Sequence, residues 1–249
     1  MKVRTVAVAL ITATIVVSAN AETPSYPEPS AELCSVYRQG PVVHRRMPIY
    51  YAEPSEDPAS FYWADVWFRP EYLFDPALEG LPRPDGLPER DLLFHLDITT
   101  GQPLPLDYRR SARPQQKHFF SLLLTGGRNH LPNGRVVSIL GATEENRSWE
   151  RTGEFFYSFE KVQIVGPVTF QSGRPRDDVF VAPAAENELA VMACSPKGFD
   201  RVPSCHVYEK AKLFSMNFGN IRMNQLDELG AARNHTQNFT ACLTWNGGE

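Results

Sequence analysis

The chain has little net charge of either sign. Its 249 residues carry 25 Lys and Arg against 29 Asp and Glu, a formal charge of −4. That excludes a strongly basic protein built to track a phosphate backbone, so no nucleic-acid partner is expected. Long apolar runs are scarce too. The longest, Val6–Val17, has about twelve mostly apolar residues, well short of the roughly 20 needed to span a bilayer as a helix. No membrane span is expected. Proline is absent after Pro203, yet the chain holds 21, sixteen of them between Pro24 and Pro132. That distribution excludes a bundle of long helices. Catalytic and cofactor signatures are missing: no GxSxG, HExxH, Walker loop or GxGxxG. Neither CxxC nor HxxxH spacing occurs, so no metal and no cofactor is expected.

The short apolar run has its own meaning. Lys2 and Arg4 precede it, and Ala19-Asn20-Ala21 ends it with small residues at both flanking positions. Residues 1–21 therefore read as a cleaved signal peptide. Its removal takes the formal charge to −6, mild acidity that names no partner. Residues 22–33 read as a mobile Pro-rich lead and 34–249 as a single exported β-rich domain. The periplasm or the exterior is the expected location, with a bacterial signal favoured. Three N-x-S/T sequons, at Asn146, Asn234 and Asn238, leave a eukaryotic secreted origin open.

There are only four cysteines, all beyond the signal region: Cys34, Cys194, Cys205 and Cys242. An even count in an exported chain predicts two disulfides. Of three connectivities, Cys194–Cys205 and Cys34–Cys242 are favoured. The first closes a polar, turn-rich loop between two strand-like runs. The second ties the start of the domain to its last helix.

Hydrophobic periodicity predicts a mainly β (α+β) fold. The expectation is an antiparallel β-sandwich or twisted sheet of about eight short strands with a C-terminal helix. In Leu92–Ile98, Leu92, Phe94, Leu96 and Ile98 alternate with Leu93, His95 and Asp97, the period of a half-buried strand. Lys117–Thr125 alternates likewise, and Gly134–Ala142 is its expected hairpin partner. Glu154–Val165, Val168–Gln171, Asp178–Ala182 and Glu188–Cys194 continue the series. Cys205–Glu209 and Leu213–Phe218 read as a tight hairpin turning at Lys210-Ala211-Lys212. After Gly219, apolar residues recur every three or four positions from Met223 to Leu243. That predicts a helix, with Asn220 as its cap and with Gly230 dividing it into two pieces.

What stands out is aromatic density. Tyr50, Tyr51, Phe61, Tyr62, Trp63, Trp67, Phe68, Tyr72 and Phe74 place nine aromatics within residues 50–74. Rigid rings give large contact area at low entropic cost and dominate recognition surfaces. Trp63, Trp67 and Tyr72 are the candidate binding residues, for a protein or glycan ligand of the cell envelope. The same rings are equally suited to a core.

The primary functional reading is thus an exported, soluble, non-catalytic binding protein of the inhibitor or immunity type, or one that holds an envelope ligand. The alternative is an exported hydrolase. His95 and Asp97 share a strand face about 7 Å apart, and His118 or His130 could join them to activate water, with or without a metal ion. Cys205-His206 is set aside as a thiol–imidazole pair, because neighbours on a strand point to opposite faces. His44-Arg45-Arg46 and Arg109-Arg110 with Arg113 read as short solvated basic patches.

Overall fold

The computed structural model describes residues 25–51, 60–74, 91–111, 118–127, 149–164, 178–184, 189–195 and 204–247. The expected signal peptide, His130, Gly134–Ala142, Val168–Gln171 and the Asn146 sequon lie outside the described residues. The described chain is mainly β, as expected: ten strands, all paired antiparallel, and a C-terminal helix.

Strands β1 (Val43–Tyr50) and β2 (Phe61–Phe68) form a two-stranded hairpin. The others form one eight-stranded sheet. They are β3 (Asp91–Asp97), β4 (Phe119–Gly126), β5 (Trp149–Phe156), β6 (Phe159–Ile164), β7 (Asp178–Pro183), β8 (Leu189–Cys194), β9 (Ser204–Lys210) and β10 (Phe214–Arg222). The spatial order is β3-β4-β10-β9-β8-β7-β6-β5. Strands β5 to β10 are thus a continuous meander, and the β3–β4 pair joins it along β10. Both edges of β4 are occupied, by β3 and β10, which corrects the partner expected for it from sequence.

One face of the sheet carries the main core. Phe94, Leu122, Phe218, Val207 and Met192 sit in one row across neighbouring strands, each buried. Three elements cover that row: the hairpin, a short helix α1 (Ala31–Ser35) and the terminal helix α3 (Leu229–Leu243). Helix α1 takes in Ala31–Leu33, the end of the segment expected to be a mobile lead. Another short helix, α2 (Leu106–Ser111), lies between β3 and β4.

Helix α3 buries Leu229, Ala232, Thr236, Phe239, Thr240 and Leu243, the face that its periodicity predicted. It starts later than expected. Strand β10 runs to Arg222, and a 3-10 segment, Met223–Glu228, intervenes. Asn220 is not a cap. It sits in a bulge of β10 between Phe218 and Ile221, at φ 64°, a left-handed conformation that asparagine tolerates. Gly230 lies inside α3 and does not divide it. The run Glu154–Val165, expected as one strand, turns at Tyr157-Ser158, and its described residues belong to β5 and β6.

Both expected disulfides are present. Cys34–Cys242 joins α1 to α3 across 208 residues of sequence, and Cys194–Cys205 links β8 to β9. Arg38 reinforces the first junction by donating to the carbonyls of Cys242 and Trp245 at the C-terminal end of α3, where orphan carbonyls favour a cation. A buried ion pair holds α3 to the sheet. The fully buried Glu209 carboxylate accepts from Arg233 Nε and Nη2 at 3.0 Å each, and from Gln237 Nε2 at 2.8 Å. No helix among the described residues is long and apolar enough to cross a membrane.

Candidate functional site

The hairpin sorts most of its residues by face, with Arg45 and Tyr62 exposed on the core-side parity. Met47, Ile49, Ala64, Val66 and Phe68 point to the core and are buried. The register His44↔Trp67, Arg46↔Asp65, Pro48↔Trp63, Tyr50↔Phe61 puts the other set on the opposite face, where His44, Arg46, Trp63 and Asp65 are exposed while Pro48 and Tyr50 are buried. There the side chains form a ladder. The His44 ring stacks on Trp67, centroids 5.1 Å apart and 26° between planes. Its Nε2 lies 2.7 Å from Asp65 Oδ1. The Arg46 guanidinium lies 5.1 Å from the Trp63 ring centroid, a cation–π arrangement. Trp63 meets Phe61 edge-on at 5.3 Å, and Phe61 contacts Tyr50 at 5.2 Å. Trp63 is 42 % exposed and Trp67 is half-buried. Beside them Tyr51 and Tyr62 are exposed and pack on each other at 5.2 Å.

Tyr72 departs from this set. It is fully buried, its ring 4.8 Å from Phe239 of α3. Burial drives its phenol well above the ordinary range, and the nearby Arg69 opposes that only in part. Tyr72 is therefore a core residue, and as a binding residue it is corrected. The aromatic density has two causes: one set of rings is core, the other is a solvent-facing ladder.

The histidines diverge. His95 is buried between Phe74 and Phe119, at ring distances of 4.9 and 4.6 Å. His118 instead lies between two carboxylates, 3.0 Å from Glu228 Oε1 and 3.7 Å from Asp97 Oδ2. The other Asp97 oxygen accepts from the amides of Thr99 and Thr100 and from the Thr100 hydroxyl, which closes the turn after β3. Asp97 is thus tied to a turn and to His118, and His95 belongs to a different environment. Among the described residues no group of three His, Cys, Asp or Glu is placed to hold a metal ion.

That other environment is a cavity of about 540 Å³ on the outer face of the sheet, opposite α3. Its floor crosses β3, β4, β10 and β9. His95, Ser121 and Gly219 follow the register of adjacent strands, with His206 and Ser204 beyond. Leu93, Leu123 and Asn217 form the next row, and Phe74 and Phe119 supply an aromatic wall. Arg222 completes the lining at the end of β10. Gly219 is required by the close approach of His206, because a Cβ there would lie 2.1 Å from the ring Nδ1. The bulge at Asn220 lets its Nδ2 donate to Ser121 Oγ at 2.8 Å.

Arg109 shapes the wall from below. It is buried, and its guanidinium donates to the carbonyls of Leu73, Phe74 and Glu71 at 2.6, 3.5 and 3.4 Å. It clamps the segment that carries Phe74 against β3, where Phe74 N also donates to Leu93 O. The solvated basic patch expected at Arg109 is corrected accordingly. Asn217 and Arg222 were not singled out by sequence, His206 was weighed only as a partner of Cys205 and set aside, and Asn220 was read as a helix cap. Their signal was present only as outward parity: Cys205 and Val207 are buried, so His206 faces the other way, and Asn217 lies between buried Met216 and Phe218.

No family model and no curated protein matches the chain. A solved structure that is similar is the Neisseria meningitidis iron-regulated outer membrane lipoprotein FrpD. It has 10 % sequence identity and a TM-score of 0.43, over 88 % of this chain and 97 % of that chain.

Proposed function

We propose that this is an exported binding protein that acts without catalysis and docks a protein partner of the cell envelope on the outward face of the β1–β2 hairpin. Export is supported by the N-terminal signature and by two disulfides, which persist in oxidising compartments. The observation that carries the reading is the ladder Trp67–His44–Asp65–Arg46–Trp63–Phe61 on a surface strand pair. Such rings gain nothing for the core, and solvent-facing Trp with Arg is the composition of interface anchors.

The geometry favours a protein over a glycan. A sugar stacks on an open aromatic face, but His44 covers a face of Trp67 and Arg46 lies over Trp63. What the ladder presents is ring edges and the cationic group of Arg46. A partner offering carboxylates and apolar side chains complements that surface.

Affinity capture from the native envelope with wild type, Trp63→Ala and Arg46→Glu in parallel tests this. The expected result is a co-purifying protein retained by wild type and lost by both variants, with unchanged thermal unfolding. Equal recovery by all three would refute the docking surface.

A further inference from the structure

We infer that the outer-face cavity is a binding site for a small organic carboxylate with an apolar body, its carboxylate seated on Arg222 and its body on the Phe74–Phe119 wall. This site lies across the sheet from the hairpin ladder and stands independently of it.

Arg222 is 9 % exposed, and its Nη1 is buried with no hydrogen-bond partner. Among the described residues no carboxylate forms an ion pair with it. A buried guanidinium nitrogen that lacks a partner loses hydration without replacement. Burial accordingly pulls its pKa below the ordinary arginine value, and the nearby Tyr108 offsets this in part. The group stays charged at neutral pH. Two other arginines spend both terminal nitrogens or a terminal nitrogen and Nε on the protein: Arg109 Nη1 and Nη2 donate to backbone carbonyls, and Arg233 donates to Glu209 and Pro183. Arg222 instead leaves its buried terminal Nη1 unspent at the lining of the cavity.

The remaining lining defines the ligand. Asn217 Oδ1 is also buried and unpartnered; it is an acceptor, open to a donor on the ligand's body and not to its carboxylate. Leu93, Phe74, Phe119 and Leu123 give the cavity an apolar side. The volume is that of a small-molecule site, with the apolar side facing a polar floor. Among the described residues of the lining, Arg222 is the one permanently charged side chain. A planar monoanion therefore balances it, and the guanidinium fork matches a carboxylate bidentately. A dianionic phosphate would need further cations.

Titration of the purified protein with phenylacetate, followed by NMR shifts and calorimetry, tests the site. Phenylacetamide and inorganic phosphate serve as controls. Saturable binding of phenylacetate is expected, with shifts confined to β3, β4, β9 and β10. The neutral amide should bind at least tenfold more weakly. Arg222→Lys keeps the charge but loses the fork, and should weaken phenylacetate about tenfold; Arg222→Gln should weaken it further. Leu93→Trp keeps Arg222 but fills the cavity, and should abolish binding, which covers the case of an unstable Arg222 variant. Any of three results overturns the inference: no saturable phenylacetate binding, equal affinity for acid and amide, or tighter Arg222-dependent binding of phosphate than of phenylacetate.

Discussion

Replacing Arg233 with Met should destabilise the protein by about 3–5 kcal/mol, the cost of leaving a buried charge uncompensated. Glu209 contributes a fully buried carboxylate, and Arg233 supplies two of its three hydrogen bonds at 3.0 Å. Without Arg233, only the Gln237 amide at 2.8 Å remains. The reverse change, Glu209→Leu, should cost less, toward about 3 kcal/mol. Arg233 keeps 15 % exposure, the Pro183 carbonyl and the Phe159 ring face at 5.4 Å, so part of its charge stays solvated. The double variant Glu209→Leu with Arg233→Met removes both charges and should recover most of the loss. The ion pair specifies how α3 docks more than it adds net stability. Urea unfolding with a double-mutant cycle measures this directly. A loss of 3–5 kcal/mol corresponds to a midpoint shift of about 6–20 °C in a domain of this size. The reasoning is refuted if Arg233→Met stays within about 1 kcal/mol of wild type. It is also refuted if the double variant loses the sum of the single losses.

Three further perturbations test the frame that carries the surfaces. Breaking Cys34–Cys242 with paired serines should cost about 5 kcal/mol and breaking Cys194–Cys205 about 3, because the first closes a loop of 208 residues and the second one of 11; urea midpoints give the order. Gly126→Ala should loosen the hairpin from the sheet at a cost of about 1–3 kcal/mol, since its Cβ would lie 2.0 Å from the Pro48 carbonyl oxygen; faster amide exchange in β1 would report it. Burial pushes the Tyr37 phenol up to about 12, with the Asn238 side chain opposing. The unfolded chain ionises this group near its ordinary value of about 10. Its stabilising contribution is therefore full below pH 10 and is lost as pH rises toward 12. Tyr37→Phe should flatten the alkaline limb of the stability–pH profile.

Much of the frame was legible because it rests on local signals. The alternation of Leu92 to Ile98 fixes which side chains enter the core whatever strand lies beside them. The disulfide pairs followed from export and from a short polar loop. The helix face from Leu229 to Leu243 followed from a period that proline never interrupts. The misread turns share a cause. Tyr157 turns the chain at φ 52° without the Gly or Asn that normally marks such a position. Asn220 serves a bulge with the same short polar side chain that suits a helix cap.

The candidate surfaces were legible only in part. The density of rings in residues 50–74 was plain, but its division was not. Tyr72 is buried by Phe239, 167 positions further on, and no local pattern reports that. The cavity depends on β10 inserting between β4 and β9. This places Ser121, Asn217, His206 and Arg222 on one floor from strands far apart in sequence. A composition count cannot see such an arrangement.

The most direct test of the central claim is site-specific photo-crosslinking in native cells. A photoreactive residue replaces Trp63 in one strain and the exposed Glu154 of β5, away from the hairpin, in another. The account predicts a discrete protein adduct heavier than the mature chain alone from position 63 and none from position 154. No adduct at position 63, or the same adducts from both positions, would contradict it.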